Sequence, residues 1–198
     1  MKNVKVILAS ASPRRKELLS EFCSDYTCIP ARGEEQAKDG LSPQKLVCSL
    51  AREKALDAEA QLEEDEDRLI IGSDTVVAYQ TAIMGKPRDK EEARAMLSSL
   101  SGHTHSVFTG VAFIIQIEGK RRVHTFFEEA RVTMYPMSEE QIDAYLATGE
   151  PFDKAGAYAI QGKCAVYIKR VEGEYNTVVG FPIARIYQEL LKEGIELC

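Results

Sequence analysis

The sequence predicts one soluble domain built from alternating strands and helices, and three observations lead there. Its 198 residues are 44% hydrophobic and 28% charged, which is close to globular averages. Short β-branched runs alternate with helical periodicities that carry their own start and stop residues. No apolar run approaches the roughly 20 residues of a membrane-spanning helix. A chain of this length can bury roughly 70% of its unfolded surface, enough to fold without disulfides or metal.

Residues 4–8 read as a strand, because Val4, Val6 and Ile7 are β-branched. Ser12 and Pro13 then supply an N-cap and a first helical position, and Leu18, Leu19 and Phe22 recur at helical spacing. Ser42 and Pro43 repeat that start signal, and Leu46, Val47, Leu50, Ala51 and Ala55 form one apolar face on a helix that also carries Lys54. The acidic stretch 59–67 reads as a solvated helix end and loop. Leu69, Ile70 and Ile71 read as a short buried strand that Gly72-Ser73-Asp74-Thr75 interrupts before residues 76–78 resume it. Asp89 with Glu92 predicts a capping box for a third helix, with Ala93, Met96 and Leu97 facing inward.

At Ser101–Gly102 the pattern changes, marking a place where the chain could pass between two lobes. Residues 107–117 and 123–134 then flank Glu118-Gly119-Lys120 as a hairpin. Ser138 with Gln141 predicts a second capping box, on a helix ending at Thr148–Gly149. Residues 157–160 and 164–171 read as a last β segment broken by Gly162. Pro182 opens the final helix, with Ile183, Ile186, Tyr187, Leu190 and Leu191 toward the core, and Gly194 closes it.

Charge and cysteine usage narrow the function. Lys and Arg number 25 against 31 Asp and Glu, giving a formal net charge of −6. That balance argues against nucleic acid as partner, because binding to a phosphate backbone is carried by clustered cations, but it leaves room for a small phosphorylated ligand in one basic pocket. The five cysteines, Cys23, Cys28, Cys48, Cys164 and Cys198, are odd in number and lack CxxC spacing, so a reducing, cytoplasmic location is expected. His103 and His105 stand one residue apart, but His124 is distant and no neighbouring ligand completes a metal set. No Walker A, GxGxxG or nucleophile-elbow pattern is present.

Four segments could carry chemistry. Ser10-Ala11-Ser12-Pro13-Arg14-Arg15 places small residues and two guanidinium groups around a helix N-terminus, which is either an anion site or a capped helix with exposed arginines. Asp74 at a strand break is held by a turn or by a function such as metal binding or water activation. Gly85-Lys86-Pro87 offers close backbone approach and a point charge, or simply a turn. The passage from Glu150 to Tyr158, continued by Ile160-Gln161-Gly162, is rich in Gly and carries acid, base and amide groups; its plain alternative is a tight turn with a local Asp153/Lys154 pair.

In this order the segments, together with Ala51-Arg52-Glu53-Lys54-Ala55, Ser101-Gly102-His103-Thr104-His105 and Asn176-Thr177-Val178-Val179-Gly180-Phe181-Pro182, resemble the Maf family of nucleotide pyrophosphatases, named for a role in septum formation. The likeness spans nearly the whole chain, so residues 1–198 are expected to form a single domain. It implies an α/β fold with a long, twisted mixed β-sheet flanked by helices, two lobes around a deep cleft, similar to inosine triphosphate pyrophosphatases. It also implies hydrolysis of a nucleoside triphosphate to the monophosphate and pyrophosphate with a divalent cation, Mg²⁺ or Mn²⁺. Ser10, Arg15, Lys54 and Lys86 would hold phosphate oxygens, and Asp74 would be the general base or a metal ligand. Glu34 aligns with the metal-facing acid, with Gly33 where the family has Asp and Glu35 as a competing position. A homodimer is compatible with this reading, and a nucleotide-responsive regulator of septation that needs no turnover is the alternative class.

The resemblance further separates two subgroups at three positions, one favouring dTTP and UTP and the other a methylated guanine nucleotide such as 7-methyl-GTP. This chain has Arg14 where the second has Trp, Thr75 where it has Gln, and Gln161 where it has Glu. A neutral Gln161 amide pairs with the donor and acceptor edge of uracil or thymine, whereas a carboxylate suits a cationic purine edge. A pyrimidine preference is expected.

Overall fold

The computed structural model describes residues 4–32, 40–62 and 66–197. Among the described residues seven strands form one mixed sheet: β1 (Lys5–Leu8), β2 (Tyr26–Cys28), β3 (Arg68–Tyr79), β4 (Ala82–Met84), β5 (Thr104–Ile117), β6 (Lys120–Met134) and β7 (Ile168–Glu172), in the order β2-β1-β3-β5-β6-β7 with β4 paired to β3. β1 is parallel to both β2 and β3, while β3/β4 and β6/β7 are antiparallel. The helices are α1 (Pro13–Ser20), α2 (Pro43–Glu59), α3 (Lys90–Leu100), α4 (Glu139–Leu146), α5 (Tyr175–Val179) and α6 (Ile183–Lys192). The expected α/β architecture with a mixed sheet and helices is therefore present. Among the described residues no helix is long and apolar enough to cross a membrane.

The chain divides into two compact units. The first comprises Met1–Asp74, Thr109–Glu128 and Gly180–Cys198; the second comprises Thr75–Phe108 and Glu129–Val179. Ser101 and Gly102 lie within the second.

In the first unit, Ile7, Ala9, Ala51, Ala55, Ala58, Ile70, Ala112 and Ile114 pack as one core. The small side chains on α2 bring its backbone down onto two strand glycines. A Cβ at Gly72 on β3 would lie 2.2 Å from the Ala51 carbonyl oxygen, and one at Gly110 on β5 would lie 2.3 Å from the Val47 carbonyl. Gly72 therefore does not break the strand, as the sequence suggests it should: β3 runs unbroken from Arg68 to Tyr79, and the glycine marks where a helix backbone approaches. On α6, Leu191 is 42% exposed and Glu189 is buried instead. The buried stripe of α6 runs through Ile186, Glu189 and Leu190 at helical spacing and Leu191 falls beyond its edge, and the Glu189 carboxylate is matched by Arg185 at 2.9 Å, Lys192 at 2.8 Å and His124 at 3.1 Å.

The second unit has its own core, including Val77, Leu97, Leu100, Val107, Val132, Met134, Tyr145, Tyr158 and Cys164. α4 starts with the expected capping box, both halves present. α3 has only half of its own: the Asp89 side chain accepts the Glu92 N–H, while Glu92 accepts from the Arg88 N–H at 2.7 Å and not from Asp89. Ser12, likewise, makes no side-chain cap on α1 in the first unit. The expected β segment at 157–160 and 164–167 is irregular and 3₁₀-helical, and β7 begins only at Ile168. Positive φ values at Gly156, Ala157 and Gly162 prevent an extended path there.

His105 is a core residue. Its Nε2 shares a 2.8 Å hydrogen bond with the Tyr158 hydroxyl, and Nδ1 has no partner among the described residues. Burial pushes the imidazole down from 6.5 to about 4, since a second N–H would stand unpaired in the core. As pH falls through 6.5 the unfolded chain takes the proton first, so stability present above 6.5 is lost progressively down to about 4. Urea titrations should show wild type losing up to about 3 kcal/mol more than His105→Gln between pH 7 and pH 4; equal losses would mean that the folded state accepts the proton.

Candidate functional site

The first unit holds four of the sequence-predicted residues in two groups, Ser10 with Arg15 and Lys54 with Asp74. Ser10 follows β1 and is buried, and its Oγ accepts the Ser12 N–H at 3.2 Å, folding the loop over the start of α1. Arg15, in the first turn of that helix, donates Nε–H to the Gly180 carbonyl at 2.8 Å and an Nη1–H to the Ser73 carbonyl at 2.8 Å, with Ser10 Oγ at 3.5 Å. The buried Ser73 hydroxyl donates to the same Gly180 carbonyl at 3.0 Å. Arg15 thus ties the Ser10 loop, the middle of β3 and the entry to α6 to one planar guanidinium.

On the other face of β3 lies Asp74. Strand residues two apart share a face, so Asp74 shares the face of Gly72, which α2 covers. Lys54 sits three residues beyond Ala51 on that helix, and its Nζ forms an ion pair with Asp74 Oδ1. Both side chains are largely withdrawn from solvent, with 19% of Lys54 and 8% of Asp74 exposed. A charge pair at such depth persists only where each partner satisfies the other. Arg14, half-buried on α1, belongs to the same unit.

Thr75, Lys86 and Gln161 belong to the second unit. Thr75 follows Asp74 directly in β3 and is half-buried. Lys86 is exposed, in a turn tied down by a hydrogen bond from the Gly156 N–H to the Gly85 carbonyl at 3.1 Å. Gly156 packs against Val77, where a Cβ would meet a methyl at 2.8 Å. Gln161 is exposed on the loop before Gly162, and Asp153 and Lys154 form the local pair that the sequence suggests. Glu34, together with Gly33 and Glu35, lies outside the described residues. Among the described residues no three His, Cys, Asp or Glu side chains gather as a metal cluster.

Sequence reasoning singled out the segments that hold Ser73 and Gly180 without giving either residue a role, and it did not connect Gly72 with Gly110 under α2. Only the glycines carried a signal, each standing alone inside an apolar strand.

Comparison with known proteins adds the decisive observation. The family description "Maf-like protein" matches residues 5–193. This chain belongs to the Maf family. Maf relatives include a protein of Agathobacter rectalis named dTTP/UTP pyrophosphatase, 48% identical over 98% of this chain and 99% of its own. Proteins of the same name from Lachnoclostridium phytofermentans and Bacillus cereus are 47% and 45% identical, each over 98% of this chain and 97% of the relative. Among solved structures, the Staphylococcus aureus Ham1 protein aligns over 96% of this chain and 100% of its own, with 11% identity and a TM-score of 0.47.

Proposed function

We propose that this chain hydrolyses dTTP and UTP to the monophosphate and pyrophosphate, with residues 1–198 acting as one catalytic domain. The observation that carries the reading is the Asp74–Lys54 pair, a base and a cation side by side in a Maf chain whose relatives are named for that reaction. In phosphoryl-type transfer the protein contributes mainly positioning and charge. Asp74 accepts the proton of the attacking water. Lys54 has three donors on one ammonium, so it serves the carboxylate and a phosphate oxygen together. Arg15 adds a fixed cation beside the Ser10 loop, and Lys86 adds a second point charge for the triphosphate.

Asp74 is also a suitable ligand for Mg²⁺ or Mn²⁺, because hard cations take oxygen donors, and Mg²⁺ is commonly held by one or two carboxylates plus substrate phosphates. Asp74 and, by resemblance, Glu34 would hold it. When bound, the cation neutralises charge on the triphosphate oxygens. A cytoplasmic location is part of this reading, and among the described residues Cys23, Cys28, Cys48 and Cys164 form no disulfide.

Specificity is assigned to Arg14, Thr75 and Gln161. With Mg²⁺ present, pyrophosphate release should be fastest from dTTP and UTP and well behind from 7-methyl-GTP. Arg14→Trp, Thr75→Gln and Gln161→Glu together should reverse that order, by restoring a stacking ring and a carboxylate for a cationic purine. If wild type prefers 7-methyl-GTP, the base preference is wrong and the reaction class stands. Release from no nucleotide would instead favour a regulator that binds without turnover.

A further inference from the structure

In the second unit, a carboxylate with no part in the reaction above lies against the Gln161 loop. Glu150 opens a 3₁₀ turn just after Gly149, and its side chain reaches forward along the chain. Oε2 accepts the Lys163 N–H at 3.1 Å, and the Cys164 N–H bonds to the same carboxylate. Oε1 accepts the Tyr145 hydroxyl at 2.8 Å, and the Tyr145 oxygen in turn accepts the Ala159 N–H at 3.1 Å. The backbone is therefore held at Ala159 on one side of the 160–162 loop and at Lys163 and Cys164 on the other.

The loop conformation depends on this arrangement. Gly162 adopts φ +122°, and a Cβ there would lie 2.5 Å from Glu150 Oε2. Only glycine lets the chain pass this close to the carboxylate. Burial would raise the Glu150 carboxyl, but the Lys163 N–H, the Tyr145 hydroxyl and the Cys164 N–H outweigh it and hold the group below its ordinary value. The acceptor-only, ionised form matches the donors around it.

We propose that Glu150 is a positioning residue for nucleobase recognition: with Tyr145 it clamps both ends of the 160–162 loop, so that the Gln161 amide meets the base already ordered. This rests on the reading of Gln161 as the base-contacting group. A loop ordered beforehand spares binding the cost of ordering it, so loss of the clamp weakens binding and selectivity more than turnover.

The test measures kcat and KM for dTTP and 7-methyl-GTP, with Mg²⁺, in wild type, Glu150→Gln, Tyr145→Phe, Gln161→Ala and the Glu150→Gln/Gln161→Ala double variant. An amide at 150 turns an acceptor into a donor facing other donors. Glu150→Gln should raise KM for dTTP about tenfold, the scale of one charge-assisted hydrogen bond, with kcat within a few-fold and the preference for dTTP reduced. The double variant should lose no more selectivity than Gln161→Ala alone, because the two residues act through one contact. Tyr145→Phe removes the link to Ala159 and one donor to Glu150 but leaves the carboxylate bonded to Lys163 and Cys164, so it should raise KM in the same direction to a smaller extent, which keeps the test valid if Glu150→Gln lowers the melting temperature below the assay. Wild-type KM and preference in the folded Glu150 or Tyr145 variant, or selectivity losses that multiply in the double variant, would overturn the proposal. Wild-type preference in Gln161→Ala would overturn the reading of Gln161 itself, and the positioning role with it.

Discussion

Asp74→Asn should lower dTTP hydrolysis by at least about 10²-fold and up to about 10⁴-fold, the usual contribution of a general base. The amide keeps the shape of the side chain but cannot take the proton from water, and it is a poorer ligand for a cation. Because Lys54 pairs with Asp74 below the surface, the substitution also leaves an ammonium facing a neutral group, at a cost of about 1–3 kcal/mol. The melting temperature should fall accordingly while the circular dichroism spectrum below it is unchanged. Pyrophosphate release measured well below the melting temperature separates the two effects. Turnover within a few-fold of wild type would exclude Asp74 as the base.

Gly72→Ala should be far more damaging to the fold than its single methyl suggests. The added carbon would lie 2.2 Å from the Ala51 carbonyl oxygen and 3.0 Å from the Ala55 methyl. The first obstacle is backbone in the middle of α2, so no side-chain rotation relieves it and the helix must move off β3. A loss of about 3 kcal/mol or more is expected, at the upper end for overpacking, and denaturant unfolding measures it directly. The same displacement separates Lys54 from Asp74, so activity should fall more than the folded fraction does. An equivalent change at the open Gly119 turn, where a Cβ meets nothing within 4 Å, adds no clash, although its φ of +72° imposes some strain. Comparable stability loss in the two variants would show that α2 does not rest on Gly72.

The contrast between α4 and the segment after it shows what a linear reading can reach. The Ser138/Gln141 box is closed by atoms three residues apart, and such local rules are visible in the sequence. Residues 157–160 and 164–167 look like strand because they are apolar, yet Glu150 and the positive φ values at Gly156, Ala157 and Gly162 bend the passage into 3₁₀ turns. β2 and β4, at three residues each, are too short to show a period. In the candidate site, Ser10, Arg15, Lys54 and Asp74 could each be named through the resemblance. Their partnerships could not, since Arg15 bonds across 58 residues to Ser73 and across 165 to Gly180. The apparent break at Gly72–Thr75 arose the same way: the group that compensates Asp74 lies 20 residues upstream on α2.

The division of the chain has a consequence for how this protein can vary. The first unit is assembled from three separate stretches and the second from two, so neither corresponds to a contiguous piece of gene. A crossover or truncation at any one position leaves at least one unit missing part of itself, and grafting the Gln161-bearing unit onto a relative would require four simultaneous junctions, at 74/75, 108/109, 128/129 and 179/180. Three of those junctions fall inside strands β3, β5 and β6, where a seam must preserve side-chain alternation. With Thr75 and Gln161 in their proposed roles, changes of base preference are therefore far more accessible through point substitution at single loop and strand positions than through recombination of modules.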